Sequence, residues 1–246
     1  MCGIVGYVGT RDPLEICLAG LKQLEYRGYD SAGIAGICEG TLKSCKEAGK
    51  IVGLEKKIRL EDLHLELAIG HTRWATHGEP TNRNAHPHLD SEGDLALVHN
   101  GIIENYKALK ETLPEISFAS DTDSEVIAQL IGKFYKGDLL YAVQEASKLL
   151  KGSFSIAVIH RKHKEIVVAA HDCPLCIGFG EKEAMIASDL NAFSSGIKNV
   201  IFLHKGETAR VWAEGMEVFE GHKPVVKKPE PLETEFSIPS KGNFEH

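Results

Sequence analysis

Apolar residues follow strand-like spacing in some segments of the chain and helix-like spacing in others. Residues 2–9 are apolar and punctuated by glycine, which predicts a buried strand that begins at the second residue. Asp12, Pro13 and Glu15 then supply an N-cap, a proline at the first helical position and an acid three residues after the cap. One helix face follows, formed by Leu14, Cys17, Leu18, Leu21 and Leu24. The first elements predicted are therefore a strand and a helix.

Two further helices are predicted in the middle of the chain. Thr122 and Glu125 have the spacing of a capping box, and Asp138 is another N-cap candidate. An apolar face follows each, formed by Val126, Ile127, Leu130, Ile131 and Phe134 in the first case and by Leu139, Val143, Ala146, Leu149 and Leu150 in the second. These patterns predict helices over residues 122–134 and after residue 138.

Short β-rich runs replace the helical spacing after Gly152. They cover residues 154–160, 165–170, 184–188, 200–203, 208–213 and 216–220, with turns between them. Strands this close together in sequence are expected to be antiparallel. Together with the three helices, they predict a layered α+β domain.

The character of the chain changes again near His222. Four of the nine prolines lie in the polar segment 222–246, which has no hydrophobic periodicity. This composition predicts an extended linker or tail after a domain over residues 2–221. We expect a further part of the protein to follow such a linker.

Composition and charge narrow the class of protein. The 246 residues include 28 Lys and Arg and 35 Asp and Glu, which gives a formal net charge of −7. An acidic chain is a poor electrostatic match for nucleic acid or anionic lipid, so neither is expected as a partner. No apolar run approaches the roughly 20 residues of a membrane-spanning helix, and the first residues lack a signal-peptide pattern. We therefore expect a cytoplasmic protein whose six cysteines are thiols.

Cys2 is the first candidate for chemistry. Removal of Met1 would give this residue a thiol and a free α-amine, whose ordinary pKa values are about 8.5 and about 7.7–8.0. The amine could then take the proton of the thiol, so that nucleophile and base belong to one residue. The alternative is a small buried residue that follows Met1 by chance, and position alone does not decide between them.

Two charged residues are candidates for binding an anion and a cation. Arg73 and Trp74 follow the apolar run 67–70, which places a carboxylate-binding guanidinium at the end of a strand. The alternative is a surface arginine packed against an aromatic ring. Asp123 lies at the start of a predicted helix, where it either caps the helix or binds an ammonium group.

Asn100 and Gly101 follow another apolar run, at residues 95–98. An Asn-Gly pair after a strand is first of all a signal for a hairpin turn. The functional alternative is an oxyanion hole, in which the asparagine amide and a backbone N–H donate to one developing negative charge. The sequence leaves both interpretations open.

Metal and nucleotide sites have little support. Five of the twelve histidines lie close together, namely His71, His77, His86, His88 and His99. Their spacing matches no zinc signature, and the pair Cys173 and Cys176 has no second pair to complete a four-thiolate site. No Gly-rich nucleotide-binding pattern follows the glycines of residues 6–9. We expect neither a metal nor a cofactor.

Several short motifs, taken in order, resemble one family closely. They are MCGIVG (1–6), LEYRGYDSAG (24–33), HTRWATHG (71–78), VHNGI (98–102) and TD (122–123). The set resembles the class II glutamine amidotransferases, which are N-terminal-nucleophile hydrolases. The resemblance runs from Cys2 to about Gly221 and implies a four-layer αββα sandwich.

The resemblance also implies roles for individual residues. Cys2 would attack the side-chain amide of glutamine and form a glutamyl thioester, with its own α-amine as the base. Asn100 and Gly101 correspond to the oxyanion hole. Arg73 corresponds to the residue that binds the α-carboxylate of glutamine, and Asp123 to the one that binds its α-ammonium group.

Four further residues match supporting positions of the family. Thr76 and His77 correspond to the loop that closes over the substrate. Trp74 corresponds to the gate of an ammonia channel, and Arg27 to an arginine that supports the loop of the nucleophile. One departure is that Cys173-Pro174-Leu175 stands where the family has Ser-Pro-Leu.

Within the family, Trp74 and the stretch 84–88 favour the glutaminase domain of the enzymes that make glucosamine 6-phosphate. This implies L-glutamine as the substrate, and fructose 6-phosphate only through an isomerase half that the sequence does not include. It also implies a homodimeric full-length enzyme. The alternatives are a phosphoribosyl-type amidotransferase and, if Met1 is retained, a glutamine-binding module without activity.

Overall fold

Two antiparallel β-sheets lie face to face in the computed structural model, which describes residues 2–59, 64–75 and 78–232. The strands in chain order are β1 Gly3–Gly9, β2 Ser31–Cys38, β3 Thr41–Ala48, β4 Leu67–Arg73, β5 His88–Leu89, β6 Leu95–Ile103, β7 Gly152–His160, β8 Ile166–His171, β9 Cys176–Gly180, β10 Glu183–Ala187, β11 Asn199–Phe202, β12 Glu207–Trp212, β13 Gly215–Glu220, β14 Lys223–Val225 and β15 Glu230–Pro231. The first sheet has the order β15-β11-β9-β10-β1-β4-β2-β3, and the second has the order β14-β13-β12-β8-β7-β6-β5.

Helices cover the outer faces of both sheets. They are α1 Pro13–Gln23, α2 Ile51–Arg59, α3 Tyr106–Glu111, α4 Asp123–Phe134 and α5 Leu139–Leu149. Helices α1 and α2 pack on the first sheet, and α3, α4 and α5 pack on the second. None of these helices is both long and apolar enough to cross a bilayer, a statement that covers the described residues only.

Three clusters of buried apolar side chains lie between these layers and join them. The central cluster joins residues of the two facing sheet surfaces, such as Ile4 and Ile69 from the first sheet and Val98 and Ile159 from the second. One outer cluster lies under α1 and α2, and the other lies under α3, α4 and α5. Three interfaces between four layers give the helix–sheet–sheet–helix sandwich that the family resemblance implies.

The innermost position of β1 follows from its uniformly apolar sequence. It pairs with β4 on one side and with β10 on the other. Because successive side chains of a strand point to opposite faces, Ile4 lies in the cluster between the sheets and Val5 lies in the cluster under α1. A strand buried on both faces needs the continuous apolar run that residues 2–9 supply.

The three predicted helices are confirmed, with their caps. The Asp12 carboxylate accepts from Leu14 N at 2.9 Å, the Thr122 hydroxyl accepts from Glu125 N at 3.3 Å, and the Asp138 carboxylate accepts from Tyr141 N at 3.0 Å. The capping box forms only in part. A complete capping box would place the Glu125 carboxylate on the N–H of Thr122. The carboxylate instead accepts from Ser120 N, two residues earlier, at 2.5 Å.

The described part of the segment after His222 is paired into the sheets and is not a free linker. Strand β14 pairs with β13 and β15 pairs with β11, so residues 223–231 contribute the outermost strand of each sheet. Prolines are tolerated there because an outermost strand has one side without ladder hydrogen bonds. Residues 233–246 lie outside the described part of the chain.

Candidate active site

A cavity of about 480 Å³ opens where the start of β1 and the end of β4 meet β6 of the other sheet. This volume is typical of a site for a small molecule. The predicted site residues on its wall are Cys2, Arg27, Arg73, Trp74, Asn100, Gly101 and Asp123. Thr76 and His77 lie outside the described residues. The fold therefore brings together all the predicted site residues that the structure describes.

Backbone contacts fix the thiol of Cys2. The residue directly precedes β1, and the register of the strands places Gly3 opposite Thr72, close to the end of β4. Trp74 N donates to Cys2 Sγ at 3.2 Å, and Sγ lies 3.6 Å from Trp74 O. Burial raises the pKa of the Cys2 thiol, although the Trp74 N–H and the charge of Arg73 act to lower it. The thiol therefore needs a proton acceptor before it can act as a nucleophile.

Asn100 and Gly101 lie within a strand, so the hairpin interpretation is wrong. Strand β6 continues through both residues, with Asn100 opposite Ser155 on β7. Gly101 has a φ of 124°, and a Cβ at this position would lie 2.0 Å from Ser153 O, so only glycine fits. Asn100 Nδ2 donates to Cys2 O at 3.4 Å. The asparagine amide thus lies beside the residue that carries the thiol.

Arg73 and Asp123 bring opposite charges to the same cavity, and each is only 4% exposed. Arg73 ends β4, and its guanidinium donates to Gly78 O at 3.2 Å and to Glu79 O at 3.3 Å. Burial lowers the pKa of Arg73, and the charge of Asp30 is the largest opposing influence. The surface-arginine alternative is therefore wrong.

Asp123 is the first residue of α4, and its neighbour Thr122 is the cap. Asp123 Oδ2 instead accepts from Ile103 N, at the end of β6, at 2.8 Å. The simple capping interpretation of Asp123 is therefore wrong. The bond from β6 holds the carboxylate at the cavity wall.

Trp74 and Arg27 lie at the edge of the cavity. The Trp74 side chain is 54% exposed. Arg27 belongs to a 3-10 turn, Glu25–Arg27, and its Nη1 lies 3.7 Å from Asp189 Oδ2. The neighbouring Ser188 exchanges hydrogen bonds with the backbone of Ile4. Arg27 is therefore connected to the segment that lies alongside the start of β1.

The structure adds a candidate supporting residue, Asp30, to which the sequence assigned no role. Asp30 Oδ2 accepts from Ala75 N at 2.6 Å, and Asp30 N donates to Arg73 O at 2.8 Å. These bonds hold the backbone that carries Arg73 and Trp74. Asp30 belongs to the stretch 24–33 that carried the family resemblance, which was the available signal. Asp30 does not itself line the cavity, and the cavity residues without a predicted role are Ile102, His86, His99, Ser124, Ser153, Cys173 and Pro174.

Four of the clustered histidines form a buried wall, composed of His71, His86, His88 and His99, and two of them, His86 and His99, line the cavity. Burial lowers the pKa of His71 to about 3, and burial also places the pKa values of His86 and His88 well below their ordinary range. These three rings are therefore neutral at pH 7. Within the described ranges, no three His, Cys, Asp or Glu side chains are arranged to hold a metal ion.

A family model described as a glutamine amidotransferase domain matches residues 71–195. The chain belongs to this family. The matched region includes Arg73, Asn100, Gly101 and Asp123, which are four of the residues on the cavity wall.

Curated relatives agree with this membership and are longer than the chain. A protein of Thermus thermophilus named glutamine–fructose-6-phosphate aminotransferase [isomerizing] is 47% identical over 250 residues, which cover 100% of this chain and 41% of the relative. A protein of the same name from Aquifex aeolicus is 48% identical over 252 residues, which cover 100% of this chain and 42% of the relative. The glutamine amidotransferase chain therefore spans about two fifths of the length of these relatives.

Solved structures confirm the predicted fold. Glutamine phosphoribosylpyrophosphate amidotransferase from B. subtilis, complexed with ADP and GMP, has a TM-score of 0.77 at 28% identity, covering 89% of this chain and 49% of that one. A structure described as the allosteric regulatory enzyme of purine biosynthesis has a TM-score of 0.79 at 30% identity, covering 89% of this chain and 48% of that one. The predicted membership of class II and the αββα sandwich of the N-terminal-nucleophile type are both confirmed.

Proposed function

We propose that this domain hydrolyses L-glutamine to glutamate and ammonia through a thioester on Cys2. A longer protein would use the ammonia to make glucosamine 6-phosphate from fructose 6-phosphate. One observation carries the proposal: a single cavity holds a thiol, an amide donor beside it, a buried cation and a buried anion. The names of the curated relatives support the choice of reaction.

The charges on the cavity wall suit an α-amino acid. Glutamine is a zwitterion at its α-carbon, so its recognition needs one fixed cation and one fixed anion. Arg73 would bind the carboxylate, because a planar guanidinium donates two parallel bonds. Asp123 would bind the ammonium group. Thr76 and His77 stay predictions for the loop that closes over the substrate.

The first half of the reaction removes ammonia. Once Met1 has been excised, the Cys2 thiol gives its proton to its own α-amine, and the sulfur forms a bond to the amide carbon of glutamine. The carbonyl electron pair moves to the oxygen, where Asn100 Nδ2 and Gly101 N would donate to it. The proton then passes to the leaving nitrogen, the C–N bond breaks, and ammonia departs from a thioester.

The second half regenerates the thiol. A water molecule gives a proton to the α-amine and adds to the thioester carbon, which forms a second oxyanion at the same position. The C–S bond then breaks, the proton returns to the sulfur, and glutamate leaves. Trp74 is proposed to gate the exit of ammonia, and Arg27 is proposed to support the start of β1.

Glutamate release by the wild-type domain and by Cys2→Ala tests the mechanism. We expect the variant to lose nearly all activity, since removal of a nucleophile costs on the order of 10⁶-fold in comparable enzymes. Cys2→Ser, which keeps the size of the side chain, serves as the control for packing and should also be strongly impaired. Equal rates for wild type and Cys2→Ala would refute the proposal.

An intact mass measurement distinguishes the enzyme from a binding module. Loss of the Met1 residue would free the α-amine of Cys2 and support catalysis. A retained Met1 together with glutamine binding but no glutamate release would support a module without activity.

The wider setting of the domain belongs to the proposal as well. Identity of 47–48% to the fructose 6-phosphate relatives, against 28–30% to the phosphoribosyl-type structures, favours the former as the parent protein. We propose residues 2–221 as the glutaminase domain and residues 222–246 as the segment that leads to an isomerase half, with the first part of this segment adding strands β14 and β15 to the two sheets. A homodimeric parent and a cytoplasmic location stay predictions.

A further inference from the structure

The orientation of the Asn100 side chain decides whether it can serve an oxyanion. An asparagine amide presents an oxygen on one side and two N–H donors on the other. Only the donor side stabilises negative charge. In the structure, Nδ2 points to Cys2 O at 3.4 Å, while Oδ1 lies 2.9 Å from His71 Nε2.

The contact with His71 has a defined polarity. An amide oxygen only accepts hydrogen bonds, so His71 Nε2 must carry the proton that is shared with Asn100 Oδ1. A neutral histidine has one protonated ring nitrogen, and burial keeps His71 neutral. The bond therefore selects the Nε2–H tautomer. A flip of the Asn100 amide would set two donors against each other.

We propose that His71 is a positioning residue, whose Nε2–H holds the Asn100 amide with its donor side toward the reacting carbonyl. The proposal rests on the proposed function, because it needs Asn100 to serve the oxyanion. His71 does not itself line the cavity, so it would act only through Asn100.

The position of His71 in the fold also links the two sheets. His71 lies on β4, opposite Ile4 of the strand that Cys2 precedes, whereas Asn100 lies on β6 of the other sheet. The hydrogen bond therefore spans from the sheet of the nucleophile to the strand of the oxyanion donors. The bond therefore fixes the position of the Asn100 amide relative to the sheet that carries the Cys2 thiol.

His71 is itself held in place. It is fully buried, and its ring stacks on His86 with 4.1 Å between centroids. His86 Nδ1 in turn accepts from His99 N at 3.2 Å, one residue before Asn100. A rigid donor keeps the acceptor oriented without further ordering during the reaction.

Two substitutions of similar length separate hydrogen bonding from packing. His71→Gln keeps an N–H donor near the position of Nε2, whereas His71→Met does not. We expect His71→Met to lower kcat for glutamine hydrolysis by about 10- to 100-fold, with little change in KM, because the substrate charges are bound by other residues. His71→Gln should retain most of kcat. Equal losses for the two variants would overturn the proposal.

A double-mutant cycle with Asn100→Ala tests whether His71 acts through Asn100. Removal of one oxyanion donor is expected to cost about 10²–10³-fold in kcat. His71→Met should then cost nothing more in the Asn100→Ala background, and multiplied losses would overturn the proposal. If Asn100→Ala keeps full kcat, the oxyanion assignment of the proposed function fails too. If only His71→Met keeps full kcat, the further inference fails alone.

The histidine tautomer can be read in the wild-type domain, so the test survives a variant that does not fold. Nitrogen-15 NMR of labelled histidine distinguishes Nε2–H from Nδ1–H in a neutral ring. We expect the Nε2–H form for His71 at pH 7. An Nδ1–H tautomer or a charged ring at that pH would overturn the proposal.

Discussion

Asp123 is held by the backbone of one sheet while it faces the cavity. Ile103 N donates to Oδ2 at 2.8 Å, and Ser124 Oγ lies 3.4 Å from Oδ1. A carboxylate fixed in this way keeps its negative charge at one place, because neither oxygen can swing into solvent. This suits the proposed role of Asp123 in binding an ammonium group.

Asp123→Asn is expected to weaken glutamine binding with little effect on the fold. The asparagine oxygen can still accept from Ile103 N, but the negative charge is lost. Loss of a buried charged contact costs about 2 kcal/mol or more, which corresponds to a rise of about 30-fold or more in KM. Steady-state kinetics of glutamate release measures this change.

A substrate without the α-amine provides the control for this prediction. Glutaramate lacks the ammonium group, so its hydrolysis should have the same KM in wild type and in Asp123→Asn. A rise in KM for both compounds would show that the carboxylate shapes the cavity rather than binding the ammonium group.

The limits of sequence reasoning are clearest at Asn100 and His71. Asn-Gly is an ordinary hairpin signal, yet this pair lies within β6, where Gly101 passes close to Ser153 O. The bond from His71 joins residues 29 positions apart on different sheets. No local pattern carries such a contact, whereas the positions of Cys2, Arg73 and Asp123 could be inferred from motifs in their chain order.

The N-terminus of α4 is the element on which the site depends most directly. Thr122 caps this helix, and its hydroxyl also lies 3.1 Å from His88 Nε2 in the buried wall. Asp123 comes next in the chain. Any shift of the first helical turn therefore moves the carboxylate in the cavity.

Thr122→Ala is expected to lower the free energy of unfolding by about 1 kcal/mol, the usual cost of a lost N-cap. It should also raise KM for glutamine, because the helix start carries Asp123. Urea denaturation and steady-state kinetics measure the two effects.

Asp138→Ala is the matched control for Thr122→Ala, because Asp138 caps α5 through Tyr141 N and does not line the cavity. It should lower stability by a similar amount and leave KM unchanged. Equal rises in KM for both variants would show that general loosening, and not the start of α4, controls binding.

Elements with strong local signals were predictable, and those with weak signals were not. Strand β3 lies at the opposite edge of the first sheet from β15 and is largely polar, so it lacks an apolar pattern. Its turn from β2 uses Glu39 and Gly40 at φ of 49° and 69°, in place of the usual Asn-Gly. Helix α2 is an exception, because Ile51, Leu54 and Ile58 have helical spacing and share one buried face, yet no helix was predicted there.

At the scale of the whole molecule, the two sheets enclose a set of neutral histidines. A folded-state pKa of about 3 for His71 lies below the value of about 6.5 expected in the unfolded chain. Between these values the unfolded state binds the extra proton, so the stabilisation present above pH 6.5 is lost as the pH falls. His86 and His88 act in the same direction.

His71→Gln is expected to reduce this pH dependence. Glutamine does not titrate, so this substitution removes one group that takes up a proton on unfolding. The slope of the unfolding free energy against pH should fall by about 1.4 kcal/mol per pH unit between roughly pH 6 and pH 4. Urea denaturation at several pH values measures the slope. The exposed His204 supplies the control substitution, His204→Gln. A slope unchanged by His71→Gln would contradict a neutral, buried His71.

The order of strands could not be inferred from sequence, although a layered α+β domain could. Helices with one apolar face and short β-rich runs indicate layers, whereas the number and order of the layers came only from the family resemblance. The pairing of β1 with β10, which places Val5 opposite Ala187, joins distant parts of the chain. Such pairing depends on the packing of the complete core, and one sequence carries no direct record of it.

The location of Cys2 has a practical consequence for handling the protein. Cys2 lies on the cavity wall and leads directly into β1, which has β4 on one side and β10 on the other. A peptide fused ahead of Cys2 therefore starts inside the substrate site and also converts the α-amine into an amide. Affinity tags should therefore be placed at the C-terminus, because a tag ahead of Cys2 is expected to abolish glutamate release even when the domain is correctly folded.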